Sequence, residues 1–418
     1  MERRRKKKMI YFNTRKLFLY SFLLLLSLSC KKHKENKVDP DSEYIRYVNT
    51  ATIANDLVPL DIVSTSDGGF LILGSSPSPD FLYHKTYILK VDKEGNYSWD
   101  TYLDTQYLNP VSDIIVRNGD YYLFCMDQLT GTYLIKINQS THAAEQVSYF
   151  SKVSLPLSAS TTPDGGYLIL NCNLGDNWTG FTKVAPDLST TWSKQFGFDP
   201  IFGDEIDRHI KREIAPLPFF TGTVQDGNST TAYYFNAYYQ ANFSCVFINP
   251  STGKPTGFYL GGDRAYASMR TLLPLEGSIY AMTHYDRNNT NFLIPRDTLN
   301  IGATIPLPVS QLAGQSFADM KASSRVVCRR YTLAGRDVIL YAANTKNNGV
   351  GLYAFDEGTG TYLGSENLSL ETPFEMGGMV PTSDGGLVVL AKTYIDNRFP
   401  RVCLFKRSNE SVKKLVGM

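Results

Sequence analysis

Chemistry needs acids, bases, nucleophiles or ligands held close together, and this chain offers few compact groups of them. Its five histidines, His33, His84, His142, His209 and His284, are scattered, and none forms an HExxH or another metal-spaced pair. His84 and His142 fall between apolar runs, where solvated loops are expected. Carboxylates are densest at Asp204-Glu205-Ile206-Asp207, with Asp176 upstream. Paired acids can cleave glycosides or hold calcium. Turn capping is the plainer expectation for them, and Asp204 to Asp207 is the best cation-site candidate the chain has. Arg212, Arg264, Arg270, Arg325, Arg329 and Arg330 would lie near inner strands of a sheet protein and could supply an arginine cluster. Trp178, with Tyr238 and Tyr239, could form an aromatic platform for a sugar or peptide, although strand packing explains them as well. No GxSxG, P-loop or GxGxxG occurs. The expectation is no catalytic set, no cofactor and no metal.

The elements that would position these groups announce themselves by repetition. Ser66-Asp67-Gly68-Gly69-Phe70-Leu71-Ile72-Leu73, Pro163-Asp164-Gly165-Gly166-Tyr167-Leu168-Ile169-Leu170 and Ser383-Asp384-Gly385-Gly386-Leu387-Val388-Val389-Leu390 each place a tight polar turn before an apolar run. Asp-Gly suits the positive φ of a short hairpin, and the run after it reads as a buried strand. Looser copies precede YYLF at Asn118-Gly119-Asp120, AYYF at Asn228 to Thr231, IYAM at Glu276-Gly277-Ser278 and VILY at Gly335-Arg336-Asp337. After each comes another strand and a polar turn, as in TYILKVDKEGN from Thr86 and RVCLFKRSNES from Arg401. A four-stranded unit cannot bury both its faces, whereas seven arranged radially bury a continuous core. The fold expected is an all-β propeller of seven four-stranded blades over residues 44–418. Insertions blur the blade boundaries between 200 and 345. Tyr44 to Asn49 and the C-terminal KKLVGM from Lys413 compete to close the ring. Gly377-Gly378 falls in an innermost strand, where it would ease crowding near the axis.

The pattern TxDGGYxLxG…YLxKxDxxGNxxWxxxY resembles the DGG-type propeller repeats of Bacteroidetes surface and secreted proteins. Ser64 to Leu103 and Ser160 to Phe196 carry it best, and blade seven carries only its first half. The resemblance implies a shape and no shared chemistry. Asp92 to Trp99 superficially resembles the Asp-box of sialidase propellers, which is itself a structural turn.

The N-terminus decides compartment. Arg3 to Lys8, Arg15 and Lys16 precede an apolar stretch, Leu17 to Leu28, of the length of a secretory core and short of the roughly 20 residues of a spanning helix. Met9 offers a second start with conventional proportions. Ser27-Leu28-Ser29-Cys30 resembles the lipobox of bacterial lipoproteins, in the looser form of Bacteroidetes, with Ser27 where Leu is preferred. The resemblance implies cleavage after residue 29 and diacylglycerol and acyl (palmitate-type) modification of Cys30. Two or three acyl chains anchor stably where one does not. Residues 30–43, the lipidated Cys and a charged segment without aromatics, read as a flexible tether.

Composition narrows the partners. The chain carries +2, but residues 1–29 hold eight Lys/Arg against one Glu, so the remainder is acidic by 5 charges. That argues against nucleic acid. Cys125, Cys172, Cys245, Cys328 and Cys403 are odd in number and far apart, each in an apolar run, which points to buried free thiols. The expected protein is an envelope lipoprotein, placed at the outer membrane with either leaflet open, that binds a protein partner or a glycan without catalysis. The alternative is a carbohydrate-active hydrolase or lyase with its site at the channel mouth. Three or more charged side chains converging there would favour the enzyme, and a large flat apolar patch would favour an assembly factor.

Overall fold

The computed structural model describes residues 43–48 and 56–418, apart from 112, 263–267, 287, 289, 304, 323 and 396–398. The leader, Cys30, His33 and Arg264 lie outside the described residues. Seven antiparallel sheets form in chain order. Blade one runs from Val58 to Tyr102, blade two from Ile115 to Ser154 and blade three from Pro156 to Gly197. Blade four spans Phe220 to Leu260, blade five Met269 to Ser316 and blade six Val326 to Leu368. Blade seven takes Phe374–Pro381, Leu387–Ile395 and Phe399–Arg407 from the C-terminal end and Tyr44–Tyr47 from the N-terminal end.

That last pairing settles the closure. Tyr44 stands opposite Lys406 and Tyr47 opposite Cys403, so the N-terminal strand is the outer strand of the last blade. The C-terminal segment forms a helix instead, Asn409–Leu415. The Ser408 hydroxyl caps it by accepting from Ser411 N, and Val412 and Leu415 are buried beneath it.

The core is divided among seven clusters, one in each gap between neighbouring blades. The gap between blades one and two holds Leu71, Leu73, Tyr121 and Leu123. The gap between blades seven and one holds Tyr44, Ile72, Val388 and Leu404, and completes the ring. Among the described residues, every sheet and every cluster falls within 44–418. The middle strands are buried on both faces, which explains their unbroken apolar runs.

The DGG turns have a chemical reason for each residue. In blade three the Asp164 carboxylate accepts from the Thr162 hydroxyl and from Gly166 N. Lys183, from the third strand, reaches over to Asp164 at 2.9 Å and donates to Val184 O at 2.9 Å. Its side chain is buried. Gly165 takes φ 82°, and a Cβ on Gly166 would lie 2.5 Å from the Lys183 ammonium and 2.1 Å from Val184 O. One glycine therefore supplies the turn and the other leaves room for a cation. Thr65, Asp67, Gly69 and Lys90 repeat the arrangement in blade one. Burial pushes the Asp67 carboxyl up, but the Thr65 hydroxyl, Lys90 and Gly69 N–H together hold it down at about 2. Thr382, Asp384, Gly386 and Lys406 repeat it in blade seven. Blade seven thus keeps the lysine of the pattern's second half.

The insertions explain the uneven middle. Between blades three and four lies the helix Gly203–Ile210. Blade five ends in a two-residue outer strand, Gln315–Ser316, and Leu307–Pro308 of the preceding segment joins blade four as a parallel fifth strand.

Cys125, Cys172, Cys245, Cys328 and Cys403 are free and buried. Burial pushes the Cys328 and Cys403 thiols up to about 12. Native protein from Asp39 onward should therefore release almost no colour with a thiol-specific disulfide reagent. All five thiols should react after denaturation, and rapid native reaction at any of them would contradict the packing.

Candidate functional site

The first strand of each blade lines the axis, and most axis-facing residues are apolar. Several charged residues lie in or beside these strands. Asp61 interrupts the inner strand of blade one, Asp113 precedes that of blade two, and Arg270 lies in that of blade five. Arg325 and Arg329 come from the start of blade six. Arg212 joins them from the turn after Gly203–Ile210. A cavity of about 250 Å³ brings together Asp113, Arg212, Arg270, Arg325 and Arg329. Pro110, Leu157, Leu217 and Phe219 add apolar surface to its lining.

The two carboxylates hold part of this charge in place. Asp61 is buried, and its Oδ2 accepts from Ile114 N at 2.8 Å. Burial, and then the nearby charge of Asp113, push its carboxyl up to about 6, against the opposing pull of Arg329, Ile114 N–H and Arg325. Gly378 makes room beside it: a Cβ there would sit 3.4 Å from Asp61 Oδ1 and 3.2 Å from the Ile62 side chain. Asp113 pairs with Arg329 at 3.3 Å from a backbone at φ 88°. A non-glycine residue in that region is strained, and such strain collects at functional sites.

The other guanidiniums are less well served. Arg212, at φ 59°, donates from Nη2 to Pro110 O at 2.7 Å, and its buried Nε has no partner. Burial and the charge of Arg325 lower its pKa to about 10. Arg270 lies over the Tyr285 ring at 4.9 Å, and its buried Nε is likewise unpartnered. Arg325 donates from Nη1 to Leu60 O at 2.9 Å, and burial lowers its pKa. Among the described residues, no carboxylate forms an ion pair with Arg212, Arg270 or Arg325. The cavity also holds Asn109, 6% exposed, whose Oδ1 has no donor.

His209 lines the same cavity. Its Nδ1 accepts from Leu217 N at 2.9 Å, which places the ring proton on Nε2, and its ring meets Phe219 edge-on. Burial and then Arg212 lower its pKa to about 3, so it is neutral at physiological pH.

Several sequence candidates fall elsewhere. Arg330 follows Arg329 on a strand and so points to the other face, where it pairs with Glu357 at 2.6 Å. Asp204, Glu205 and Asp207 lie on one helix and gather no cation site: Asp207 pairs with Lys211, and Glu205 accepts from the Tyr238 hydroxyl. Among the described residues, no group of three or more His, Cys, Asp or Glu is arranged to hold a metal. Tyr238 is fully buried and stacked on Phe202, so no platform forms with Trp178 and Tyr239. His84 is no solvated loop residue. It is half-buried, 3.3 Å from the Ser75 hydroxyl, with its pKa lowered to about 4 by burial and Arg212. His142 stacks on Trp99 at 4.2 Å, and His284 is buried in a strand.

No family model matches this chain, and no curated protein matches its sequence. Solved structures do resemble it. The β-propeller domain of the trilobed protease from Pyrococcus furiosus, described as having an open velcro topology, aligns over 87% of this chain and 99% of its own, at 9% identity and TM-score 0.43. The S. cerevisiae core factor aligns over 87% of this chain and 60% of its own, at 9% identity and TM-score 0.49. The propeller architecture itself is displayed by the chain's own seven sheets and their closure.

Proposed function

We propose that this protein is a lipid-anchored propeller of a bacterial envelope that binds a glycan or protein ligand at its axial cavity without transforming it. The observation that carries the reading is the surplus of guanidinium groups there. Four arginines line the cavity with one carboxylate, Asp113, which pairs with Arg329, and the buried Asp61 behind them is held by Ile114 N. A rigid ring that holds unpaired cations in a small, half-apolar cavity is built to receive something. The anchor rests on the leader and on Cys30, followed by a charged tether.

Two measurements test the parts separately. Cys30→Ser should move the protein from the membrane fraction to the soluble fraction, or leave it unprocessed with changed mobility; unchanged fractionation and mobility would contradict the anchor. The domain from Asp39 onward should capture its ligand from solubilised envelope, and a double variant, Arg212→Met with Arg325→Met, should not. Equal capture by both would move the binding face away from the axis.

The convergence of Asp113, Arg212, Arg270, Arg325 and Arg329 on one cavity favours the second reading, an envelope hydrolase or lyase, and the Asp61 carboxyl, raised by burial and by Asp113, is the nearby acid that could serve it. That reading requires product release from envelope polysaccharide that Asp61→Asn abolishes. Release of nothing, with binding intact, supports the module.

A further inference from the structure

We propose that the axial cavity recognises an anionic sugar unit, seating its carboxylate or phosphate group among Arg212, Arg270 and Arg325 and one of its hydroxyls on Asn109. The inference rests on the reading of the cavity as the binding site and names the chemistry of what binds there.

Three observations converge on it. The first is charge. Asp113 answers Arg329 directly, and Asp61 lies against Arg325 and Arg329. That leaves an excess of two guanidiniums over carboxylates, and the charges of Arg212 and Arg325 act on each other. Like charges sunk together without counter-ions are costly, and an anion relieves the cost. Guanidinium forks match the planar oxygens of a carboxylate or the face of a phosphate. The second is the pair of orphaned donors, Arg212 Nε and Arg270 Nε, both buried and without an acceptor. A buried polar atom without a partner calls for an explanation, and a bound oxyanion supplies one.

The third observation separates a sugar from a bare anion. Asn109 Oδ1 is a buried acceptor without a donor, and a ligand O–H or N–H would satisfy it. Pro110, Leu157 and Phe219 add apolar surface to the lining, which suits the C–H face of a ring better than a hydrated ion. A volume of about 250 Å³ is below that of a site for a drug-sized molecule. One sugar unit, free or at the end of a chain, combines negative charge, hydroxyls and an apolar face at that scale.

The test is titration calorimetry and thermal shift on the domain from Asp39 onward with four probes: glucuronate, glucose 6-phosphate, glucose and inorganic phosphate. Saturable binding of glucuronate or glucose 6-phosphate, stronger than that of glucose or inorganic phosphate, is the expected result. The stronger of the two tells a carboxylate from a phosphate. Arg270→Met and Arg325→Met should each weaken it by about tenfold or more. Without ligand the same variants should keep a cooperative melt and the wild-type circular-dichroism spectrum, with Arg325→Met melting somewhat lower because buried Asp61 loses one of its partners. This separates loss of binding from loss of fold. Asn109→Ala should weaken the sugar probes and spare inorganic phosphate.

Asp61 is faced by Asp113, Arg325, Arg329, Ile114 N–H and the Gly378 backbone. Burial and Asp113 raise its carboxyl, and its protonation on acidification removes a negative charge beside Arg325 and Arg329, so glucuronate should bind more tightly at pH 5 than at pH 7. Binding of inorganic phosphate alone, equal binding of glucose, or no binding by any probe would each overturn the inference. The binding-module reading would survive all three if envelope capture still depended on Arg212 and Arg325. Loss of that dependence would overturn both.

Discussion

Gly166→Ala should lower the melting temperature of the propeller by about 5 °C, corresponding to about 4 kcal/mol for a domain of this size. The backbone at Gly166 is not the cause, since the residue does not take a left-handed φ. The new Cβ would fall 2.1 Å from Val184 O and 2.5 Å from Lys183 Nζ. The lysine would have to leave, and it is a buried cation with its carboxylate, hydroxyl and carbonyl partners all at this turn. Separating a buried charge from its partner costs far more than adding a methyl group. Gly197→Ala is the control, because nothing lies within 4 Å of the Cβ it would gain. Matching melts for the two variants would mean that the lysine does not hold the turn. Lys183→Met in the Gly166→Ala background should recover part of the loss, since the displaced charge is then absent.

Removing residues 1–48 should have an effect of similar size and a different character. The truncated chain loses the strand Tyr44–Tyr47, the hydrogen bond from Val48 N to Val402 O and the ion pair of Glu43 with Arg407. Tyr44 and Val48 are both buried between blades seven and one, and losing them withdraws about 4 kcal/mol of apolar burial. It also uncovers Phe399–Arg407 as an edge strand, with Leu404 and Phe405 beside unpaired backbone. The expected result is a melting temperature about 5 °C lower and concentration-dependent self-association on size-exclusion chromatography. A monomer with unchanged stability would mean that the ring closes without its N-terminal strand. In sequence the tether leads straight into this strand, so the proposed anchor and the closure of the ring share one short segment.

Much of this architecture was legible because it repeats. Asp-Gly turns or looser polar turns before apolar runs mark the second strand of every blade, and the Lys of the third strand can be read at Lys90, Lys183 and Lys406. Blade five resisted because its outer strand is only Gln315–Ser316 and follows a long insertion. The helix at Asn409–Leu415 was hidden in a segment short enough to pass for a strand. The site was legible only in halves. Four of the six arginines singled out by sequence meet at the cavity, while the adjacent Arg330 faces outward because side chains alternate along a strand. Asp61 and Asp113 went unmarked, although a lone acid in an otherwise apolar inner strand was the available signal. What brings residues 113, 212, 270 and 325 together is ring closure, and no local pattern carries that information.

The most direct test of the account is an array of envelope polysaccharides probed with the domain from Asp39 onward and with the Arg212→Met, Arg325→Met double variant. Wild type should bind acidic polysaccharides and leave their chain length unchanged, and the double variant should bind none while still melting cooperatively. Equal binding by both proteins, or binding confined to neutral polysaccharides, would contradict it.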